Sequence, residues 1–125
     1  MAFAKTHRDL KVYKISFEIS MELYELSKNF PSIEKFSLTD QIRRSSRSIC
    51  SNIAEAFRKR KYPKAFVSKL TDSEAEAAET QTWLDYAVKC KYITKEQFDH
   101  FDKEYNGIIG MLVNLRLSAD KWKVD

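Results

Sequence analysis

The residues able to do covalent or metal chemistry are few, and their spacing does not suit it. The only histidines are His7 and His100. Di-iron sites in helical bundles are built from paired Glu-x-x-His motifs, and Gln97 stands three residues before His100. No Walker A loop, G-x-S-x-G, H-E-x-x-H or C-x-x-C motif occurs. Cys50 and Cys90 lie 40 residues apart, fit no metal spacing and read as buried, reduced thiols. A nucleophile such as Ser46 or Cys50 would need His7, near a terminus, or His100, among Asp99, Asp102 and Glu104. Neither pairing makes a defensible set. Trp83 and Trp122 read as core or interface anchors. The chain is therefore expected to be non-enzymatic, with no catalytic residue, metal or cofactor.

Electrostatic chemistry is better represented. Between Arg43 and Lys64 stand eight bases: Arg43, Arg44, Arg47, Arg58, Lys59, Arg60, Lys61 and Lys64. Glu55 is the single acid there, so the stretch carries +7 and leaves −3 on the rest of a chain whose total is +4. At 100° per residue Ile42, Ile49 and Ile53 point together, with Arg43, Arg44, Arg47 and Arg58 on the opposite side. Three readings fit: a solvated face, an interface with an acidic partner or another copy of the chain, and a site for the phosphate backbone of RNA or DNA. Arginine on the helix itself suits bidentate phosphate or carboxylate contacts, and backbone contacts bind without reading sequence. The following segment is acidic, with Asp72, Glu74, Glu76, Glu79 and Asp85. In the interface reading, Arg43 and Arg44 pair with Glu74, Glu76 or Glu79, while Asn52 and Glu55 form a polar network that sets register.

Helices must position these residues. Val12, Ile15, Ile19, Leu23, Leu26 and Phe30 recur at steps of 3 or 4, widened by Tyr13, Phe17, Met21 and Tyr24. They predict a helix over about 9–29, begun at Asp9 and stopped before Pro31. Ser37 with Asp40 has the spacing of a capping box and opens a second helix over about 38–60. Ser45, Ser46, Ser48 and Ser51 are mediocre helix formers there and imply close approach of a neighbour. Pro63 suits the first turn of a third helix over about 63–90. Thr94 with Gln97 caps a fourth over about 95–119, whose seam runs Phe98, Phe101, Tyr105, Ile108, Leu112, Leu115, Ala119 and Trp122. Gly107 and Gly110 inside it imply a tight helix crossing or a weak spot.

Composition agrees. The 125 residues include only 2 Gly and 2 Pro, with 43% hydrophobic and 13% aromatic residues. A many-stranded sandwich needs more turn residues, and a disordered chain fewer apolar ones. One all-α domain spanning 1–125 is expected, an antiparallel up-down-up-down four-helix bundle. The longest uncharged run, Tyr105 to Leu115, is too short to span a bilayer. Met1 to Lys5 lacks an apolar signal core. The expected location is the cytoplasm, with no membrane partner.

The block Thr39-Asp40-Gln41-Ile42-Arg43-Arg44, then Ser48-Ile49 and Ser51-Asn52-Ile53-Ala54-Glu55, resembles the core motif of the bacterial four-helix bundle family that includes the 23S ribosomal RNA intervening-sequence proteins. Asp9-Leu10, Val12, Phe30-Pro31, Glu34, Phe66 and Tyr92-Ile93 extend the likeness over most of 9–117. Cys50 stands where the family usually has Pro, Ala56 where it has Gly, and Ser37 where Gly commonly precedes the Leu. The third-helix segment around Asp72-Ser73, Glu76 and Glu79 matches only loosely. The resemblance implies a non-enzymatic bundle assembling as a homopentameric ring. It also implies a basic surface for nucleic acid, and similar folds serve as accessory partners of the reverse transcriptase in diversity-generating retroelements.

Overall fold

Glu34, in the loop after the first helix, shows how local chemistry sets the helix ends. Its Oε1 accepts the Ser37 hydroxyl at 2.6 Å and the Leu38 N–H at 3.3 Å, while Oε2 accepts the Tyr92 hydroxyl at 2.9 Å. Ser37 itself makes no side-chain cap, which corrects the Ser37–Asp40 capping box. With Glu34 only one turn upstream, its carboxylate reaches the first orphan N–H and takes the serine hydroxyl as well. Ser37, Tyr92 and Leu38 together hold the Glu34 carboxyl below its ordinary range. The capping box of Thr94 and Gln97 forms as expected.

The computed structural model describes residues 4–124, so most of the Met1–Lys5 segment considered for a signal core lies outside the described residues. Four long helices carry the fold: α1 (Lys11–Ser27), α2 (Leu38–Arg58), α3 (Pro63–Lys89) and α4 (Lys95–Leu117), followed by the short α5 (Ala119–Trp122). Two 3-10 turns, His7–Asp9 and Ser32–Glu34, precede α1 and α2. Asp9 belongs to its own capped turn with Thr6, so α1 starts two residues later than the spacing suggests. The last predicted helix is broken at Ser118, which places Ala119 and Trp122 on α5.

Cross-links show that neighbours run antiparallel. Arg43 meets Ser27 and Cys50 meets Tyr13 between α2 and α1. Ser45 meets Thr80 and Ile49 meets Ser73 between α2 and α3. Gln81 meets Asn106 and Glu74 meets Arg116 between α3 and α4. Packing of α4 on α1 closes the up-down-up-down bundle. Its core comprises Leu23, Ile42, Ile49, Ile53, Phe57, Phe66, Leu70, Leu84, Phe101, Tyr105, Ile108 and Leu112.

The predicted α1 stripe is turned slightly. Val12, Ile19, Leu23 and Phe30 are buried, but Ile15 and Leu26 are only half-buried, and Ser16, Ser20 and Ser27 take inner places. Ser27 accepts from Arg43 of α2, and on α2 itself Ser45 and Ser46 are buried, with Ser45 bonded to Thr80 of α3. Phe17 and Met21 lie exposed.

Two stretches of backbone carry residues ill-suited to their geometry. α3 ends in a Schellman motif, with Tyr92 N–H bonded to Ala87 O and Lys91 N–H to Val88 O, and Lys91 sits at φ 64° where glycine is usual. Gly107 and Gly110 lie on the outer face of α4 with nothing within 4 Å of where a Cβ would stand, so the tight crossing is not found among the described residues. Lys91→Gly and Gly107→Ala should each stabilise the fold by about 1 kcal/mol, read from urea unfolding. A destabilised Gly107→Ala would show that the outer face of α4 is occupied.

Candidate nucleic-acid interface

Burial of Ile42, Ile49, Ile53 and Phe57 leaves one orientation for α2, and it sends the arginines outward. Arg44, Arg47 and Arg58 are exposed, and Arg43 is half-buried. The eight predicted bases fall into two groups. Arg43 and Arg58 stand 15 positions apart, about 22 Å along a helix at 1.5 Å per residue.

The first group gathers on Tyr24 of α1. The guanidinium of Arg43 lies 4.7 Å from the ring centre, that of Arg47 5.5 Å, and the Lys28 ammonium 5.0 Å. Arg43 Nε donates to Ser27 Oγ at 2.8 Å, and that hydroxyl donates to Tyr24 O at 2.7 Å. The ring thus holds cations that would otherwise repel one another, each contact contributing about 0.5–1 kcal/mol at an exposed site. Lys28 and Tyr24 are not among the residues expected from sequence. Tyr24 reads there as part of the apolar stripe, and only the pairing of α1 with α2 shows its cationic neighbours. Lys28 also pairs with Glu25 at 3.1 Å, and Arg44 reaches Asp40 only at 4.0 Å.

The second group occupies the α2–α3 link: Arg58, Lys59, Arg60, Lys61 and, on the first turn of α3, Lys64. Arg60 lies 3.6 Å from the centre of the Phe57 ring and its Nε donates to Phe57 O at 2.9 Å. Tyr62 is 61% exposed, with Lys61 Nζ 5.9 Å from its ring centre. Among the described residues, no carboxylate lies within ion-pair distance of Arg43, Arg47, Arg58, Lys59, Arg60, Lys61 or Lys64.

Two acids of α3, Asp72 and Glu74, have other partners. Glu74 Oε2 accepts from Arg116 Nε at 2.6 Å, and Lys69 sits 3.6 Å from Glu55 and 3.8 Å from Asp72. Asn52 Nδ2 donates to Ser48 O, one turn back on its own helix. Within the chain, therefore, Asn52 and Glu55 share no network, and neither Arg43 nor Arg44 pairs with Glu74, Glu76 or Glu79. Glu76 is half-buried against Ser48, beside Glu79. Burial, then the Glu79 carboxylate and Asp72, push its carboxyl up to about 7, with Ser48 pulling the other way.

The side chains that could have served as nucleophile or base are engaged structurally. Ser46 Oγ donates to Arg43 O at 3.2 Å, and burial raises the Cys50 thiol to about 11, away from a reactive thiolate. Cys90, at the end of α3, is exposed, which corrects its reading as a buried thiol. His100 Nε2 lies 3.0 Å from Glu22 Oε1 of α1, and His7 packs edge-on against Tyr13. No group of three His, Cys, Asp or Glu among the described residues has the geometry to hold a metal. No described helix is long and apolar enough to cross a membrane.

Against known proteins, a family model described as 23S rRNA-intervening sequence protein matches residues 8–114. A crystal structure of a protein of unknown function from the S23 ribosomal protein family of Bacteroides thetaiotaomicron is 31% identical. It superposes with a TM-score of 0.76, over 84% of this chain and 94% of that one. No curated protein matches the chain.

A raised carboxyl pKa favours the protonated folded state, so Glu76 opposes folding increasingly as pH climbs from its ordinary 4.5 to about 7. Glu76→Gln should raise Tm at pH 8, leave it nearly unchanged at pH 4, and flatten the slope between. Differential scanning calorimetry across that window checks it.

Proposed function

Because the chain belongs to the 23S rRNA-intervening sequence protein family, we propose that it is a non-catalytic protein that binds the phosphate backbone of nucleic acid, RNA in the first instance, through α2 and the α2–α3 link. One observation carries this reading: seven of the eight predicted bases have no carboxylate partner among the described residues, while the acids of α3 that pair within the chain do so with Lys69 and Arg116. An intramolecular role for the charge would show the opposite pattern. Like charges spaced along one face repel one another, and a polyanion that meets them relieves that repulsion. Arginine anchored on Tyr24 and on Phe57 presents its fork in a fixed plane, which suits phosphate oxygens. The mechanism is electrostatic: each phosphate neutralised releases counterions, and sequence goes unread.

A second reading, assembly with further copies of the chain, is favoured by a separate feature. Ile33 and Phe36 are 84% and 87% exposed, and Phe36 lines a groove with Leu38, Trp83 and Tyr86 away from the α2–α3 link. Light scattering reads it, and Phe36→Asp should dissociate any oligomer held there.

Replacing Arg43 and Arg47 together by Ala should weaken binding of unrelated RNA sequences alike, about tenfold. Fluorescence anisotropy with several labelled RNAs measures this. A loss confined to one sequence contradicts backbone recognition.

A further inference from the structure

The two basic groups differ in what their aromatic residue does. Tyr24 is covered by three cations, so its ring serves to hold them. Tyr62 is open. It precedes α3, with its N–H donated to Lys59 O and its carbonyl accepting from Phe66 N–H, both at 2.9 Å. The backbone is thus fixed at both ends while 61% of the residue faces solvent, and no other aromatic ring among the described residues stacks on it. Arg58, Lys59, Lys61 and Lys64 surround it in sequence without a carboxylate partner among the described residues. Arg60, stacked on Phe57, adds a guanidinium of fixed orientation.

An exposed ring set among unpaired cations matches a ligand that offers both phosphates and free base faces. Bases inside a duplex are stacked on each other and offer none along its length, whereas single strands do. Resting on the function proposed above, we propose that the α2–α3 link recognises single-stranded nucleic acid, with Tyr62 as the platform on which one base stacks. Arg58, Lys59, Lys61 and Lys64 hold the flanking phosphates. The Arg43–Arg47–Lys28 group, about 20 Å along α2, engages backbone without regard to strandedness.

The test uses the whole chain with a labelled mixed-sequence RNA and the duplex of the same length, at one fixed salt concentration. Tyr62→Ala should weaken single-strand binding on the order of 10- to 100-fold, and leave duplex binding unchanged. Tyr62→Phe and Tyr62→Trp, which keep the ring face, should retain it. Arg58→Ala with Lys61→Ala should weaken both ligands. Because Tyr62 packs into no core, the melting temperature of each variant should match the parent and exclude a folding effect. Single-strand affinity unchanged in Tyr62→Ala, or an equal loss for both ligands, overturns the inference while leaving backbone binding in place. Binding of neither RNA by the parent chain overturns the proposed function itself, and the inference with it.

Discussion

The seam between α2 and α3 is the constraint on which the remainder of the molecule depends. Ser45, Ala56, Ser73, Ala77 and Thr80 are all at most 3% exposed, and they are too small to hold two helices at the distance bulky residues would impose. Hydroxyls bond across the gap, Thr80 Oγ1 to Ser45 Oγ and Ser73 Oγ to Ile49 O, each at 2.8 Å. In so dry a place each such bond contributes modestly when made and costs more when one partner is lost. Close approach fixes the rotation of α2 about its own axis. With Ile42, Ile49, Ile53 and Phe57 inside, Arg44, Arg47 and Arg58 have solvent as their only destination.

That rotation also decides which charges meet. Glu55 and Asp72 converge on Lys69, and Glu74 turns to α4 and Arg116. The acids on the α2–α3 side thus neutralise cations of the bundle body, and Arg43, Arg47 and Arg58 of α2 remain without a carboxylate partner among the described residues. Glu76 and Glu79 are the exception, crowded together beside Ser48 with the carboxyl of Glu76 raised. The charge asymmetry of the sequence becomes a spatial asymmetry because packing, not attraction between the two helices, sets their facing residues.

Much of this is legible in the residues themselves. Steps of 3 and 4 among apolar residues mark helices within a few residues of their ends, since a 3.6-residue repeat leaves little freedom. Pro63 and the Thr94–Gln97 box mark starts through purely local chemistry. Contacts between elements distant in sequence are not legible. Glu34 caps α2 in place of Ser37 while holding Tyr92, 58 residues away. Tyr24 reads as core until Arg43 and Arg47 are set against it. The inner serines of α1 look polar in sequence, yet they are buried, and Ser27 takes a hydrogen bond from Arg43 of α2.

A polyanion face makes one quantitative demand that distinguishes it from a solvated face or a protein interface. Binding must release counterions in proportion to the phosphates engaged, about 0.7 per phosphate on a single strand. The direct measurement is the slope of log affinity against log salt for a labelled single-stranded RNA. About five to seven phosphates along α2 and the α2–α3 link predict a slope of about −3.5 to −5. A slope near zero, or no binding at low salt, would contradict the account.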